Sequence, residues 1–417
     1  MLACAFALVA AASCAKIVPE PQPSKARRVL IMYADGYNNL SYDLRQNIAS
    51  LCGNAPSVAF SNRYKLLVYS HGTAKSGDYR TPTSPVLVDV YKDMNGNVVN
   101  DTVKVYPSGV NSSSALQLHT VLSDIRDSFP ALEYGLVYSS HGTGWIPERY
   151  YYDKVTEYTP FFSMPRPDCA SSVNPFLDGT PLVRSIGCTG YYNESGKLMT
   201  HEIDIKDFAD AFPMHFKYII MDACLMGGIE TMYQLRRVTD YVISSCEEIY
   251  SGGMDYSKMT EELFFKEKSD LLAVCRDYYE LYKNRSLTIS LVETSKLEYL
   301  GAECRYLFQK YESQIAAVDA SSVQGYFRST ELGPRHWFYD LEDILVKSGI
   351  SEDDRKALTD ALDGCVLYKA ASPKGIASSF TINTHCGMSM YLPNMGDSQL
   401  DAFYSTLDWN IATLLVR

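Results

Sequence analysis

No two of the eleven cysteines stand at C-x-x-C spacing and no other zinc-ligand pattern occurs, so thiolate-held metal is excluded as the organising chemistry. A block of lysine and arginine is also missing. With 38 basic against 49 acidic side chains and a formal net charge of −11, the chain offers no broad surface for nucleic acid, whose phosphates require clustered cations. Nucleotide fingerprints are absent: Gly142-Thr143-Gly144 has neither the x-x-G continuation nor an acidic partner, and no Walker or zincin motif is found. There are no tandem repeats, and no low-complexity run beyond the N-terminal segment. What is there, 417 residues of which 46% are apolar, is ample for a large core.

The longest apolar run lies at the start. Met1 to Cys14 is almost uninterruptedly small and apolar, too short to span a membrane, and has the character of a signal-peptide core. Ala11-Ala12-Ser13-Cys14 resembles a bacterial lipobox, in which the cysteine is lipidated and becomes the mature N-terminus, although the usual basic residues ahead of the apolar core are missing. Plain secretory cleavage is the alternative, and both routes export the chain. The expectation is a lipoprotein anchored to a membrane through Cys14, periplasmic or at the cell surface, and otherwise a secreted protein. Residues 15–28, with Pro19, Pro21 and Pro23, then form a stiff tether. Most of the remaining cysteines, Cys224 apart, are expected to be buried thiols or unpaired.

Strand-like runs recur at Val29-Tyr33, Leu66-Tyr69, Pro85-Tyr91, Gly135-Tyr138, Tyr218-Met221, Tyr241-Ser244 and Leu287-Val292, with helical periodicity between most of them. Such alternation implies an α/β fold with a mainly parallel sheet flanked by helices. Before the Gly135 run, Asn111 to Ser114 offer a helix cap, and Ala115, Leu118, Leu122 and Ile125 share one face. A main domain is expected over 29–295, followed by a C-terminal subdomain, 296–417, packed on the sheet. That subdomain carries helical stretches at Thr294-Tyr311 and Glu352-Leu362 and a hairpin-like pair, Ser379-Thr384 with Gly387-Leu392.

Two strand ends carry the chemistry. Tyr134 to Tyr138 leads into Ser140-His141-Gly142-Thr143-Gly144-Trp145, and Phe216 to Ile220 leads into Met221-Asp222-Ala223-Cys224. Ligands of open parallel sheets bind at carboxyl ends of strands, so a histidine and a cysteine arriving there form a candidate hydrolytic dyad. A thiol attacks a carbonyl as thiolate, which a basic partner and a positive local field favour. The helix-forming stretch Gly228 to Arg237 is expected to bring a helix N-terminus near Cys224. Gly142 allows its amide to approach substrate, and it is taken with the Cys224 amide as the oxyanion donors. A cysteine ending a core strand can equally be an inert thiol. Leu67-Val68-Tyr69-Ser70-His71-Gly72-Thr73 nearly repeats the surroundings of His141, so local chemistry alone does not choose between the two histidines.

At these residues the chain resembles the clostripain-like cysteine peptidases, relatives of caspases, gingipains and legumains. Their pattern is Ser-His-Gly-x-Gly-Trp after one strand and Asp-Ala-Cys after another, followed by a Met-Gly-Gly-like helix entry. Ile31-Met32-Tyr33-Ala34-Asp35 with Asn38-Asn39-Leu40, Ser244-Ser245-Cys246-Glu247-Glu248, Phe338-Tyr339-Asp340-Leu341 and Gly387 to Pro393 extend the likeness. It implies a caspase-like sheet and a peptidase using His141 and Cys224. The Gly-Trp continuation and the place of its strand support His141 over His71, which reads as a near-cleft residue. Cys246 matches a family position that is not a nucleophile, and Asp35 and Asn38 frame the cleft or shape the loop.

In that family an acid two residues before the nucleophile looks into the pocket for an Arg or Lys at P1, the substrate residue whose carbonyl is attacked. The resemblance therefore implies this role for Asp222, with Glu247 and Glu248 as additional pocket acids. The physical basis is charge-assisted pairing of a partly desolvated carboxylate with a cation. The expected partners are peptides or proteins containing Arg or Lys. Many members cut themselves between the two motifs after a basic residue, and residues 146–200, irregular and punctuated by Arg149, Lys154, Arg166, Arg184 and Lys197, form the candidate processing loop. No cofactor is expected; calcium, used by some members, has no motif here to predict it. Two rivals remain: a non-catalytic peptide-binding lipoprotein of the same fold, and a transpeptidase or ligase using the same dyad.

Overall fold

The computed structural model describes residues 25–74, 81–148, 150, 186–192, 198–326, 337–375, 380–393 and 397–417. The lipobox cysteine Cys14 and the basic residues at 149, 154, 166, 184 and 197 lie outside them. The strands are β1 (Ala26–Asp35), β2 (Tyr64–His71), β3 (Val86–Lys92), β4 (Val98–Val105), β5 (Ala131–Ser139), β6 (Ile186–Tyr192), β7 (Leu198–Ile203), β8 (Phe216–Asp222), β9 (Thr239–Ser244), β10 (Thr288–Glu293), β11 (Tyr339–Asp340), β12 (Val366–Ala371) and β13 (Ser389–Met390). Nine of them form one sheet in the order β12-β10-β9-β8-β5-β1-β2-β3-β4. From β9 to β2 every pairing is parallel. Antiparallel pairings extend both edges.

The parallel centre follows from continuous apolar runs, which suit strands buried on both faces. In β1, Val29 to Ala34 are each at most 1% exposed. Val29, Ile31 and Tyr33 enter one core with Leu118, Phe208, Met232 and Leu300; Leu30, Met32 and Ala34 enter the other with Leu44, Met259 and Tyr278. This is the two-residue alternation of a strand, here facing helices on both sides. Helix α1 (Ser41–Cys52) covers the second face, and α2 (Ala115–Ser128), capped by Ser114 through the Gln117 amide, covers the first.

Three features depart from the sequence reading. Residues 146–200 contain regular structure, because β6 pairs antiparallel with β7; the Gly187 and Gly190 of β6 weaken its strand signal. The segment around Ser389 does not form a hairpin with 380–384: β13 pairs with β11, and Lys374 bridges Thr381. An exposed strand, β4, extends the edge beyond β3, its mostly solvated faces leaving no hydrophobic alternation to read. Residues beyond 296 contribute β12 to the main sheet beside β10. Among the described residues no helix is long and apolar enough to cross a membrane.

Candidate active site

Neighbouring strands β5 and β8 run parallel, with Ser139 opposite Asp222. His141 and Cys224 each follow the ends of these neighbouring strands by two residues. The two loops touch. A Cβ added to Gly142 would lie 2.7 Å from the Cys224 carbonyl oxygen and 3.0 Å from both Ala223 Cβ and Met226 Sδ, so only glycine fits there. Gly144, with φ of +61°, presses against Leu225: an added Cβ would lie 2.7 Å from its carbonyl oxygen. Trp145 is fully buried, with ring centroids 4.9 Å from Tyr391 and 5.0 Å from Tyr404. The Gly-x-Gly-Trp string thus packs the His141 loop on the Cys224 loop and anchors it on the C-terminal segment.

After Cys224 the chain makes a tight turn in which Leu225 has φ of +61°, a left-handed conformation uncommon for a leucine. Its amide donates to the Glu247 carbonyl at 3.1 Å, and that of Gly227 to the Ser245 carbonyl at 2.7 Å. The helix expected from Gly228 runs Ile229–Leu235 with Gly228 as its N-cap, and the Cys224 amide lies in the turn that precedes it. The thiol is half-buried, and Sγ accepts from the Ile249 amide at 3.4 Å. The other cysteines whose side chains are described are buried free thiols. Cys246 is among them: burial pushes its thiol far above the ordinary range, which excludes it as a nucleophile at neutral pH.

His141 is 5% exposed, and its Nε2 lies 2.7 Å from Oδ1 of Asn39, in the loop after β1. The Gly187 amide donates to the His141 carbonyl at 3.0 Å, tying β6 to this loop. His71 ends β2, with β1 between it and β5. Its Nδ1 lies 2.7 Å from Ser112 Oγ, its Nε2 is buried without a hydrogen-bond partner, and burial lowers its pKa to about 4. Asp35, fully buried, accepts through its carboxylate from Ser113 Oγ and, at 3.0 Å, from Thr189 Oγ1. Asn38 donates to the Asp35 carbonyl at 3.0 Å, shaping the loop.

The Asp222 carboxylate, at the end of β8, is buried. Oδ2 accepts from Ser139 Oγ at 2.5 Å and from the Tyr256 hydroxyl, whereas Oδ1 is buried with no hydrogen-bond partner. Desolvation raises its pKa, partly offset by the two hydroxyls. Gly253, with φ of +60°, forms the adjoining wall; an added Cβ would lie 2.6 Å from Oδ1. Glu247 is fully buried and Glu248 half-buried in the loop after β9. Burial pushes the Tyr278 hydroxyl well above its ordinary range, and Tyr282, Glu247, Asp222 and Cys224 lie near enough to add to that shift. Sequence reasoning missed Tyr256 and Gly253, which no motif marks, and gave Asn39 no role although it stands in the quoted polar loop. Among the described residues no group of three or more His, Cys, Asp or Glu forms a metal site.

Comparison with known proteins agrees with this geometry. The family model for the clostripain family matches residues 190–413, a span that includes Cys224. The solved structure of an inactive zymogen C11 protease from Parabacteroides distasonis is 26% identical, with a TM-score of 0.73 over 94% of this chain and 99% of that one. A secreted C11 cysteine protease from Bacteroides thetaiotaomicron, bound to an irreversible peptide inhibitor, shares the fold at 23% identity, with a TM-score of 0.71 over 93% of this chain and 99% of that one. A search of curated proteins returned no match. The family match over more than half the chain and the likeness to C11 proteases lead to one conclusion: this protein is a cysteine peptidase and belongs to the clostripain family.

Proposed function

We propose that the chain is an endopeptidase that cuts after Arg or Lys with a His141-Cys224 dyad. The observation that supports this is that the two residues follow the ends of neighbouring parallel strands, with Gly142 packed on the Cys224 carbonyl. His141 takes the proton of the Cys224 thiol, Sγ attacks the scissile carbonyl carbon, and the amides of Gly142 and Cys224 stabilise the oxyanion. His141 gives a proton to the leaving amine as the C–N bond breaks, leaving a thioester. Water, deprotonated by His141, then adds to the thioester and releases Cys224.

Cleavage after a basic residue is supported by the orphaned Oδ1 of buried Asp222, with Glu247, like Asp222, near Tyr278. A carboxylate held in low dielectric with one unmet oxygen gains most from a cation that donates to it. Glu248 adds charge to the same loop. Self-cleavage within residues 146–200 completes the reading; its counterpart is the solved relative described as an inactive zymogen. Export, with lipidation at Cys14, accords with the apolar start of the chain and with a neighbour described as secreted.

The test compares wild type, C224A and D222N on peptides that differ only at P1. Wild type is expected to cut Arg and Lys peptides, C224A none, and D222N to lose its preference for basic P1. Equal cleavage by wild type and C224A would sink the dyad. Cleavage by wild type after acidic or apolar P1 would leave the dyad and remove the acidic pocket. Ligated instead of hydrolysed products would mark a transpeptidase. On denaturing gels, wild type alone should split within residues 146–200.

A further inference from the structure

One ring nitrogen of His141 is held by an element remote from both motifs. Asn39 lies in the loop between β1 and α1, and its Oδ1 is 2.7 Å from His141 Nε2. We propose that Asn39 is a positioning residue for the reaction, fixing the ring orientation and tautomer of His141 by accepting the hydrogen on Nε2. The proposal rests on the reading of His141 and Cys224 as the reacting pair.

An amide oxygen only accepts, so Nε2 carries the hydrogen and the neutral ring keeps its lone pair at Nδ1. Nδ1 is then the nitrogen that takes and returns the proton during turnover. The loop that presents Asn39 is built for constancy. Asn38 Nδ2 donates to the Asp35 carbonyl at 3.0 Å, and the Leu40 amide donates to Asn38 Oδ1 at 2.8 Å. Ser140 Oγ donates to the same Asp35 carbonyl at 2.7 Å, so one acceptor ties the Asn39 loop to the residue before His141. The Asp35 carboxylate is itself anchored by Ser113 and Thr189. An asparagine does this without adding charge. A carboxylate in its place would strengthen the imidazolium and hold back its proton from the leaving amine.

The test uses the full chain as wild type, N39A, N39D and H141A, with kcat and KM measured across pH on a basic-P1 peptide. The N39A change should lower kcat about 10- to 100-fold with little change in KM, because a misplaced general acid loses much of its contribution while substrate contacts stay intact. The limb of the pH profile that reports His141 should move to lower pH in N39A, where an acceptor is lost. In N39D it should move to higher pH by about one unit, with much of the activity retained. The other titratable groups on the packed elements, Asp35 of β1, His71 of β2, Asp222 of β8 and Cys224, are the same in each variant.

Opposite shifts are beyond a merely structural role. Activity of N39A within twofold of wild type, or the same limb in both variants, would overturn the proposal. Where N39A fails to fold, as judged by its thermal transition, the N39D limb decides alone. An active H141A would remove the dyad reading and this proposal with it; an inactive H141A beside an unaffected N39A removes the proposal only.

Discussion

Replacing Glu230 by glutamine should make the protein more stable, and increasingly so as pH rises. Glu230 stands in the first turn of the helix Ile229–Leu235, directly after the Cys224 turn, and is fully buried. Its Oε1 accepts from the Tyr391 amide at 2.8 Å and the Tyr404 hydroxyl at 2.9 Å, while Oε2 is buried without a partner. Burial raises the carboxyl from its ordinary 4.5 to about 7, against the lowering effect of those bonds. The unfolded chain therefore releases this proton near pH 4.5, whereas the native chain keeps it until near pH 7. Between these values the unfolded state binds fewer protons, so stability falls as pH rises. The shift from 4.5 to about 7, at about 1.36 kcal/mol per unit, amounts to about 3 kcal/mol above pH 7.

Glutamine keeps the accepting oxygen and removes the titration. Measured in a C224A background to prevent self-cleavage, urea unfolding with and without E230Q should give similar stabilities near pH 4.5. The E230Q protein should lead by about 3 kcal/mol by about pH 8. A difference that stays constant across this range, or that favours the wild type more at high pH, would refute the reasoning.

Two further substitutions probe the loops and helices. The Gly142→Ala change forces an added Cβ now 2.7 Å from the Cys224 carbonyl out toward ordinary contact at 3.4 Å, parting the loops by about 0.7 Å; kcat/KM on a basic-P1 peptide should fall about 10- to 100-fold, and a loss under twofold would refute the tight fit. Gly364 is exposed in the helix Glu352–Cys365 with no atom within 4 Å of an added Cβ, so G364A should raise stability by about 0.5–1 kcal/mol in urea unfolding, and any decrease would count against it.

The central strands were legible because burial on both faces demands continuous apolar runs, and those at Val29, Leu66, Gly135, Tyr218 and Tyr241 are unbroken. Edge elements were less so. Exposed β4 needs no apolar pattern, and β12 and β13 are recognised by what they pair with. Nor did the residues after Cys224 reveal the turn that precedes the helix, because its amides bond the carbonyls of Ser245 and Glu247 in the loop after β9.

By itself, then, the sequence determined the chemistry on offer: a histidine and a cysteine three residues past the ends of two apolar runs, with the glycines and tryptophan their packing requires. Those are local properties, readable from residue type and spacing. Tertiary structure decided which groups meet. It placed β1 between His71 and the His141 strand, brought Asn39 to the imidazole, and set Tyr256 and Gly253 against Asp222. It also buried Cys246 until its thiol cannot ionise near neutral pH, leaving Cys224 the half-buried one. Burial and contact are relations between residues distant along the chain, and desolvation, hydrogen-bond partners and reactivity follow from them.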